Sequence, residues 1–315
     1  MTYRFYAKNR EIAHARKINA LSGLEQKKFR ILTCLSSPKS ASALTHVAVA
    51  IAKRHESEIT FLHVIEAHEG QKLPAGAKDA GRVIPLLESA VACADSEKVQ
   101  SDSLIQVAHR VSQGIVEVAE EERCNLLIIG RQKEPTYFDR IFSSLIDTVL
   151  RQSTSEVAIL HGSFEKDSVK RIVVPLGANI HTRLAIEMAP AFVTYFGANL
   201  HVVHVVDGEG ESPLSEQLVR DARHDLEENG VQAEFTFLKS GSVIDGVVEA
   251  SKTADLLLMG GRSGDIIELL LAKSLSQEIT LRAGCPVLWV REYEEKRSFW
   301  RSLWSKPNME VNKDA

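Results

Sequence analysis

Residues 30–35 read RILTCL, and residues 171–176 read RIVVPL. Each is a short run of β-branched and apolar residues opening on an arginine, too brief for a helix and continuous enough for a strand buried on both faces. The same spacing of 141 returns between ITFLHVIE at 59–66 and LHVVHVVD at 200–207. Further along, LLIIG at 126–130 matches LLLMG at 256–260 and VAIL at 157–160 matches VLWV at 287–290, now 130 apart. One structural phrase is therefore written twice. The second copy is eleven residues shorter between its second and fourth strands, a length change that a surface connection absorbs.

Helices fill the gaps. After the first strand, Leu44, Val47, Ala48 and Ile51 keep helical spacing, as do Ala185, Met188, Ala189 and Phe192 in the second copy. Pro190 is expected to kink that second helix and Gly197 to end it. Further strands are expected at 59–65 and 200–206, near 104–109 and 233–238, and at 126–129 and 256–259. Helices are expected over 83–94, 114–121, 214–228 and 243–252. In the first copy Phe138, Ile141, Phe142, Leu145 and Val149 form one stripe of a last helix before a final strand at 157–161. Such alternation requires right-handed crossovers and a parallel sheet covered on both faces. The fold class read from this alternation is α/β: two tandem Rossmann-like domains, each a five-stranded parallel sheet with helices on both faces. The expected boundaries are a basic leader over 1–28, domains over 29–162 and 169–292, and a basic, aromatic tail over 293–315.

At 315 residues and 44% hydrophobic, the chain can bury two cores of ordinary size. Cys34, Cys93, Cys124 and Cys285 have no metal-ligand spacing, and three lie in or beside apolar runs, which predicts reduced, mostly buried thiols in a cytoplasmic protein. The longest apolar region, 184–206, is broken by Glu187, Pro190, Gly197 and Asn199, so it reads as helix then strand rather than a membrane span. The net charge of −4 hides an asymmetry: residues 1–30 carry eight Lys or Arg against two Glu, leaving −10 for the remainder. An acidic body argues against general nucleic-acid binding, which works by neutralising phosphates.

At the end of the fourth strand the chain resembles the universal stress protein family, whose nucleotide-binding members carry a G-x2-G-x9-G-[ST] loop there. The resemblance spans both copies, includes the final strand, and implies that the two Rossmann-like domains are of the adenine nucleotide alpha hydrolase-like type. In such a loop the first glycine ends the strand, the second lets backbone N–H groups approach phosphate, and the third with its hydroxyl opens a helix whose positive end favours the anion. Copy one keeps Gly130 but has Lys133 and Ser143 for the other glycines, with Ser144 as the hydroxyl. Copy two keeps Gly260 but has Ser263 and Lys273, with Ser274 as the hydroxyl. A register shifted through Gly261 and Gly264 fits less well. The family's adenosine-contacting aspartate after the first strand is replaced by Ser36 and Gly177, which lack a charged acceptor. Arg131, Lys133, Arg262 and Lys273 could supply phosphate charge, which keeps ATP or another adenine nucleotide as a candidate ligand. The resemblance therefore implies degenerate loops more than a working site. His63 and His204 hold one place in the repeat and are read as strand histidines bonded at the sheet's end. Asp139, Asp147 and Asp265 are read as surface charge, so no catalytic role is assigned.

Both ends mix aromatics with cations. Tyr3, Phe5 and Tyr6 lie in the leader ahead of an expected helix through Ile12 and Leu21. In the tail, Phe299, Trp300, Leu303 and Trp304 share a helical face among Lys296, Arg297, Arg301 and Lys306. That composition suits a membrane headgroup interface or folding back on the body. The leader also resembles the segment after the last span of permeases and cation antiporters that carry tandem domains of this family. The expected function is a non-enzymatic regulatory or stress-response module. The alternatives are a cytoplasmic regulatory domain of, or peripheral partner to, a membrane transporter at the inner face of the membrane, and an ATP-binding switch. The copies are expected to form an intrachain pseudo-dimer by pairing 157–160 with 287–290, with further homodimerisation left open. A single continuous sheet, or strands running antiparallel in either half, would overturn the reading of a copied and fused module.

Overall fold

The computed structural model describes residues 3–6, 29–67, 80–131, 139–177, 180–206, 213–261 and 275–291. The first copy runs β2 (Arg30–Cys34), α1 (Pro38–His55), β3 (Glu58–Glu66), α2 (Ala80–Ser96), β4 (Ser101–Ala108), α3 (Val111–Glu121), β5 (Leu126–Arg131), α4 (Asp139–Gln152) and β6 (Glu156–His161). A 3-10 turn at Lys166–Ser168 leads to the second copy. That copy runs β7 (Arg171–Leu176), α5 (Ile180–Phe196), β8 (Asn199–Val206), α6 (Pro213–Glu228), β9 (Ala233–Lys239), α7 (Val243–Ser251), β10 (Leu256–Gly261), α8 (Leu275–Arg282) and β11 (Val287–Arg291). Every strand expected from the apolar runs is present. α5 continues through Pro190 as one helix and stops at Gly197, whose φ of 61° is the left-handed turn expected there.

The strands of each copy are mutually parallel, in the orders β4-β3-β2-β5-β6 and β9-β8-β7-β10-β11. One face of the sheet packs on Leu44, Val47 and Ile51 of α1 and on Ala185, Ala189 and Phe192 of α5. The other face packs on Ile115 and Val118 of α3, Val149 of α4, Val247 of α7 and Ile279 of α8. The backbone itself repeats: Glu56 and Gly197, 141 apart, both have positive φ (50° and 61°), and so do Lys98 and Gly230, 132 apart (60° and 72°). The first copy thus places ordinary side chains where the second uses glycine, at the same helix ends.

Two features meet the conditions set against a copied and fused module. Strand order and backbone turns nevertheless repeat between the halves, so the copying stands and the conditions were wrongly drawn, since pairing the final strands itself makes the sheet continuous. The sheet is one continuous structure of eleven strands, because the expected pair of final strands is itself hydrogen-bonded: β6 and β11 run antiparallel, with Ile159 opposite Trp289. These two residues hold the same place in the repeat, so the join has a pseudo-two-fold axis through them. The second feature is β1 (Tyr3–Tyr6), which adds antiparallel to β4 with Tyr3 opposite Val107 and Phe5 opposite Ile105. This strand comes from the leader, outside the duplicated module, and it covers an edge that would otherwise stay open. The expected leader helix and the aromatic face of the tail lie outside the described residues. Among the described residues no helix is long and apolar enough to cross a membrane.

On one face, α1 packs against α5 across the seam between copies. Glu97, just beyond α2, gathers the ends of this contact. It pairs with Lys53 of α1 at 2.7 Å and with Lys166 of the connecting turn at 2.5 Å, and it accepts from Tyr195 Oη of α5 at 3.4 Å. Tyr195 also meets His46 Nδ1 at 2.8 Å, and the Lys166 ammonium lies 4.5 Å from the Tyr195 ring centre. At the related position of the second copy stands Asn229, whose Oδ1 accepts from Arg54 at 3.1 Å. Hydrogen bonds from Lys166 and Lys53 hold the Glu97 carboxyl down to about 2. Because the folded-state value lies below the unfolded one, this stabilisation is complete above pH ~5 and fades as pH falls toward 2. Glu97→Gln should therefore lower the thermal midpoint at pH 7, by the equivalent of about 1 kcal/mol for partly exposed pairs, and the two proteins should converge only near pH ~2. Parallel offsets at both pH values would contradict this.

Candidate functional site

Open α/β sheets bind ligands beyond the carboxyl ends of their strands, where the strand order reverses. Those places lie between β2 and β5 and between β7 and β10. In the first copy the position holds a cavity of about 60 Å³, lined among others by Cys34 at the end of β2, Ser36 just beyond it, His63 on β3, Gly130 on β5 and Leu145 on α4. That is small beside pockets for small organic ligands, which span about 300–1,000 Å³. Burial pushes the Cys34 thiol far up, so it stays protonated. Cys34 and Cys93 are half-buried and only Cys124 and Cys285 fully so, against the expectation that most of the thiols are interior.

The two histidines make one contact in duplicate. His63 Nδ1 lies 2.7 Å from Leu35 O and His204 Nδ1 lies 2.7 Å from Leu176 O, the carbonyls being 141 residues apart like the rings. A carbonyl only accepts, so both rings carry the proton on Nδ1. Burial pushes His63 below its ordinary value, against the opposing pull of the Leu35 carbonyl. His204 Nε2 also meets Ser215 Oγ at 2.9 Å, which holds the first turn of α6 to β8. The reading of strand histidines bonded at the sheet's end is what the structure shows.

One surviving glycine, Gly130, meets a packed side chain, and so does Gly261, the neighbour of the other. A Cβ on Gly130 would fall 2.7 Å from Leu44 Cδ1, so α1 sits down on the strand because this residue is glycine. A Cβ on Gly261 would fall 2.0 Å from Trp289 Cζ2, so the second glycine of that pair makes space for a buried indole. Gly130 and Arg131 close β5 beside Leu160 and His161, and Gly260 stands beside Val290. Ser143 and Ser144 lie on α4, with side chains outside the described residues. Lys133, Arg262, Ser263, Lys273 and Ser274 also lie outside the described residues, as does Asp265. Asp147 pairs with Arg151 at 2.8 Å along α4, the surface charge expected. Sequence reasoning missed Glu97 and the roles of Leu44 and Trp289, all of which depend on partners from other elements. The one sequence signal for them was Gly-Gly at 260–261, facing a strand that carries tryptophan.

The profile of the Universal stress protein family matches residues 29–161 and again residues 168–291. The chain belongs to the universal stress protein family. A universal stress protein of Thermus aquaticus, encoded in the QAH/OAS sulfhydrylase 3′ region, is 31% identical over 135 residues, which cover 39% of this chain and 98% of that protein. The solved universal stress protein of Archaeoglobus fulgidus DSM 4304 has a TM-score of 0.60 at 16% identity, over 85% of this chain and 97% of that one. The cytoplasmic domain of a prokaryotic cation chloride cotransporter has a TM-score of 0.56 at 12% identity, over 85% of this chain and 97% of that one. The two structural likenesses are likenesses of fold. In this universal stress protein, then, the family module occurs twice in one chain, joined through its last strands.

Proposed function

We propose that this universal stress protein is a non-enzymatic regulatory or stress-response module whose two phosphate loops have degenerated, so that its output is contact with other proteins. The observation that carries this reading is the small apolar cavity at the first switch point, about 60 Å³ with Ser36 in place of a carboxylate. Gly130 supports it, since it accommodates the Leu44 side chain. His63 and His204 support it too, with rings turned to backbone carbonyls. Thermal unfolding with ~1 mM MgATP tests the proposal: the expected shift is under about 1 °C. A larger rise, diminished by Lys133→Ala or Ser274→Ala, would establish the ATP-binding switch instead.

The fold likeness to a cotransporter's cytoplasmic domain favours a second reading, in which the chain regulates a membrane transporter from the cytoplasmic face. The cations and aromatics of residues 296–306 would then meet anionic lipid. Flotation with anionic vesicles should carry the full chain upward and leave a variant lacking residues 296–315 at the bottom. Equal behaviour of the two defeats this reading.

A further inference from the structure

The two ends of the sheet are built alike and finished differently. Ser101 of β4 stands beside Ile59 and Ala233 of β9 beside Leu200, and Ile59 and Leu200 are the same position of the repeat. By that register Leu104 to Val107 correspond to Thr236 to Lys239. The first stretch is hydrogen-bonded by β1, and Ser103 to Ala108 are all buried. The second has no strand beyond it among the described residues, and no residue of β9 is fully buried.

We propose that β9 is a docking edge for β9 of a second copy, joining two eleven-stranded sheets through an antiparallel pair centred on Thr236. The directions of the backbone groups support this. Ser240 N–H donates to Val206 O, so along the strand the alternate residues Ala233, Phe235, Phe237 and Lys239 turn their N–H and C=O groups outward. A two-fold axis perpendicular to the sheet keeps each residue on its own face. Centred on Thr236, it sets Phe235 opposite Phe237 and Ala233 opposite Lys239, all residues with outward-turned groups. Glu234 then faces Leu238, so no like charges oppose one another, and the Phe pair recurs on both sides of the axis. The strand carries no proline, and its two exposed residues, Glu234 and Lys239, stand near its ends, so the usual protection of an open edge is thin. The chain already makes one join of this geometry, where β6 meets β11 around Ile159 and Trp289. The flanking helices α6 and α7 expose Leu214 and Val243.

Light scattering after size exclusion of the full chain, at ~1 µM and ~100 µM, together with amide hydrogen exchange, tests the proposal. At the higher concentration the expected species has twice the 34.9 kDa chain mass. The amides of Phe235, Phe237 and Lys239 should slow at least about tenfold at the higher concentration, while those of Thr236 and Leu238, bonded to β8, exchange slowly at both. Ala233→Pro combined with Lys239→Pro removes only outward N–H groups and should weaken the dimer by more than about tenfold with the β8 ladder kept. A single monomeric species at both concentrations overturns the proposal. So does protection of the outward amides at every concentration, which would mean that the chain covers its own edge. A dimer whose outward amides stay fast has its interface elsewhere and overturns it as well.

Discussion

Replacement of Trp289 by alanine is expected to lower the free energy of unfolding by about 3–5 kcal/mol, read from urea denaturation followed by far-UV circular dichroism. The indole is 1% exposed, lies opposite Ile159 on the antiparallel partner strand and beside Met259 on β10, and so fills the centre of the join between copies. Truncation would leave a cavity where the sheet passes from one copy to the other, a place closed by strands on both sides and poorly able to collapse. Among the described residues the indole Nε1 has no hydrogen-bond partner, so part of the side chain's burial is unfavourable. Trp289→Phe removes that unpaired donor and should cost well under half as much. A loss below about 1 kcal/mol for the alanine variant would show that the join contributes little to stability.

The second large effect is expected at Gly261. A methyl group there would lie 2.0 Å from Trp289 Cζ2 and 2.5 Å from Cε2, closer than atoms can approach, so the indole or the strand must move. Gly261→Ala should cost about 3 kcal/mol, the upper part of the usual range for overpacking. The clash depends on one partner. In a Trp289→Ala background the same substitution should cost little, giving a coupling energy of about 2 kcal/mol in a double-mutant cycle. Additive effects would mean that Gly261 is required for some other reason, such as phosphate approach by the loop that follows it.

The fold was legible in the sequence to the degree that it depends on local pattern. Runs such as 31–35 and 172–176 fit only buried strands, and the constant spacing between runs revealed the copying. The pairing of 157–160 with 287–290 followed from the need to cover an edge. The strand at Tyr3–Tyr6 was not legible, because four residues with an internal arginine carry too little periodicity and the pairing comes from β4, about a hundred positions away. Continuity of the sheet followed from the expected pair but contradicts the simpler picture of two separate sheets. At the candidate site the lost carboxylates at Ser36 and Gly177 were readable one residue at a time. What Gly130 and Gly261 accommodate was not, since Leu44 and Trp289 reach them only through packing of one element on another.

The joint between copies differs on its two sides: Glu97 binds two lysines on one, and Asn229 receives Arg54 on the other. Two identical subunits could not divide these roles, because any residue chosen for one side would appear on both. Fusion into a single polypeptide lifts that restriction and lets the halves specialise under separate selection. It also holds each half permanently at high local concentration of the other, so the joint forms however scarce the protein is in its surroundings. The result is a joint with a direction, through which a disturbance arriving in one half need not have the same effect as one arriving in the other.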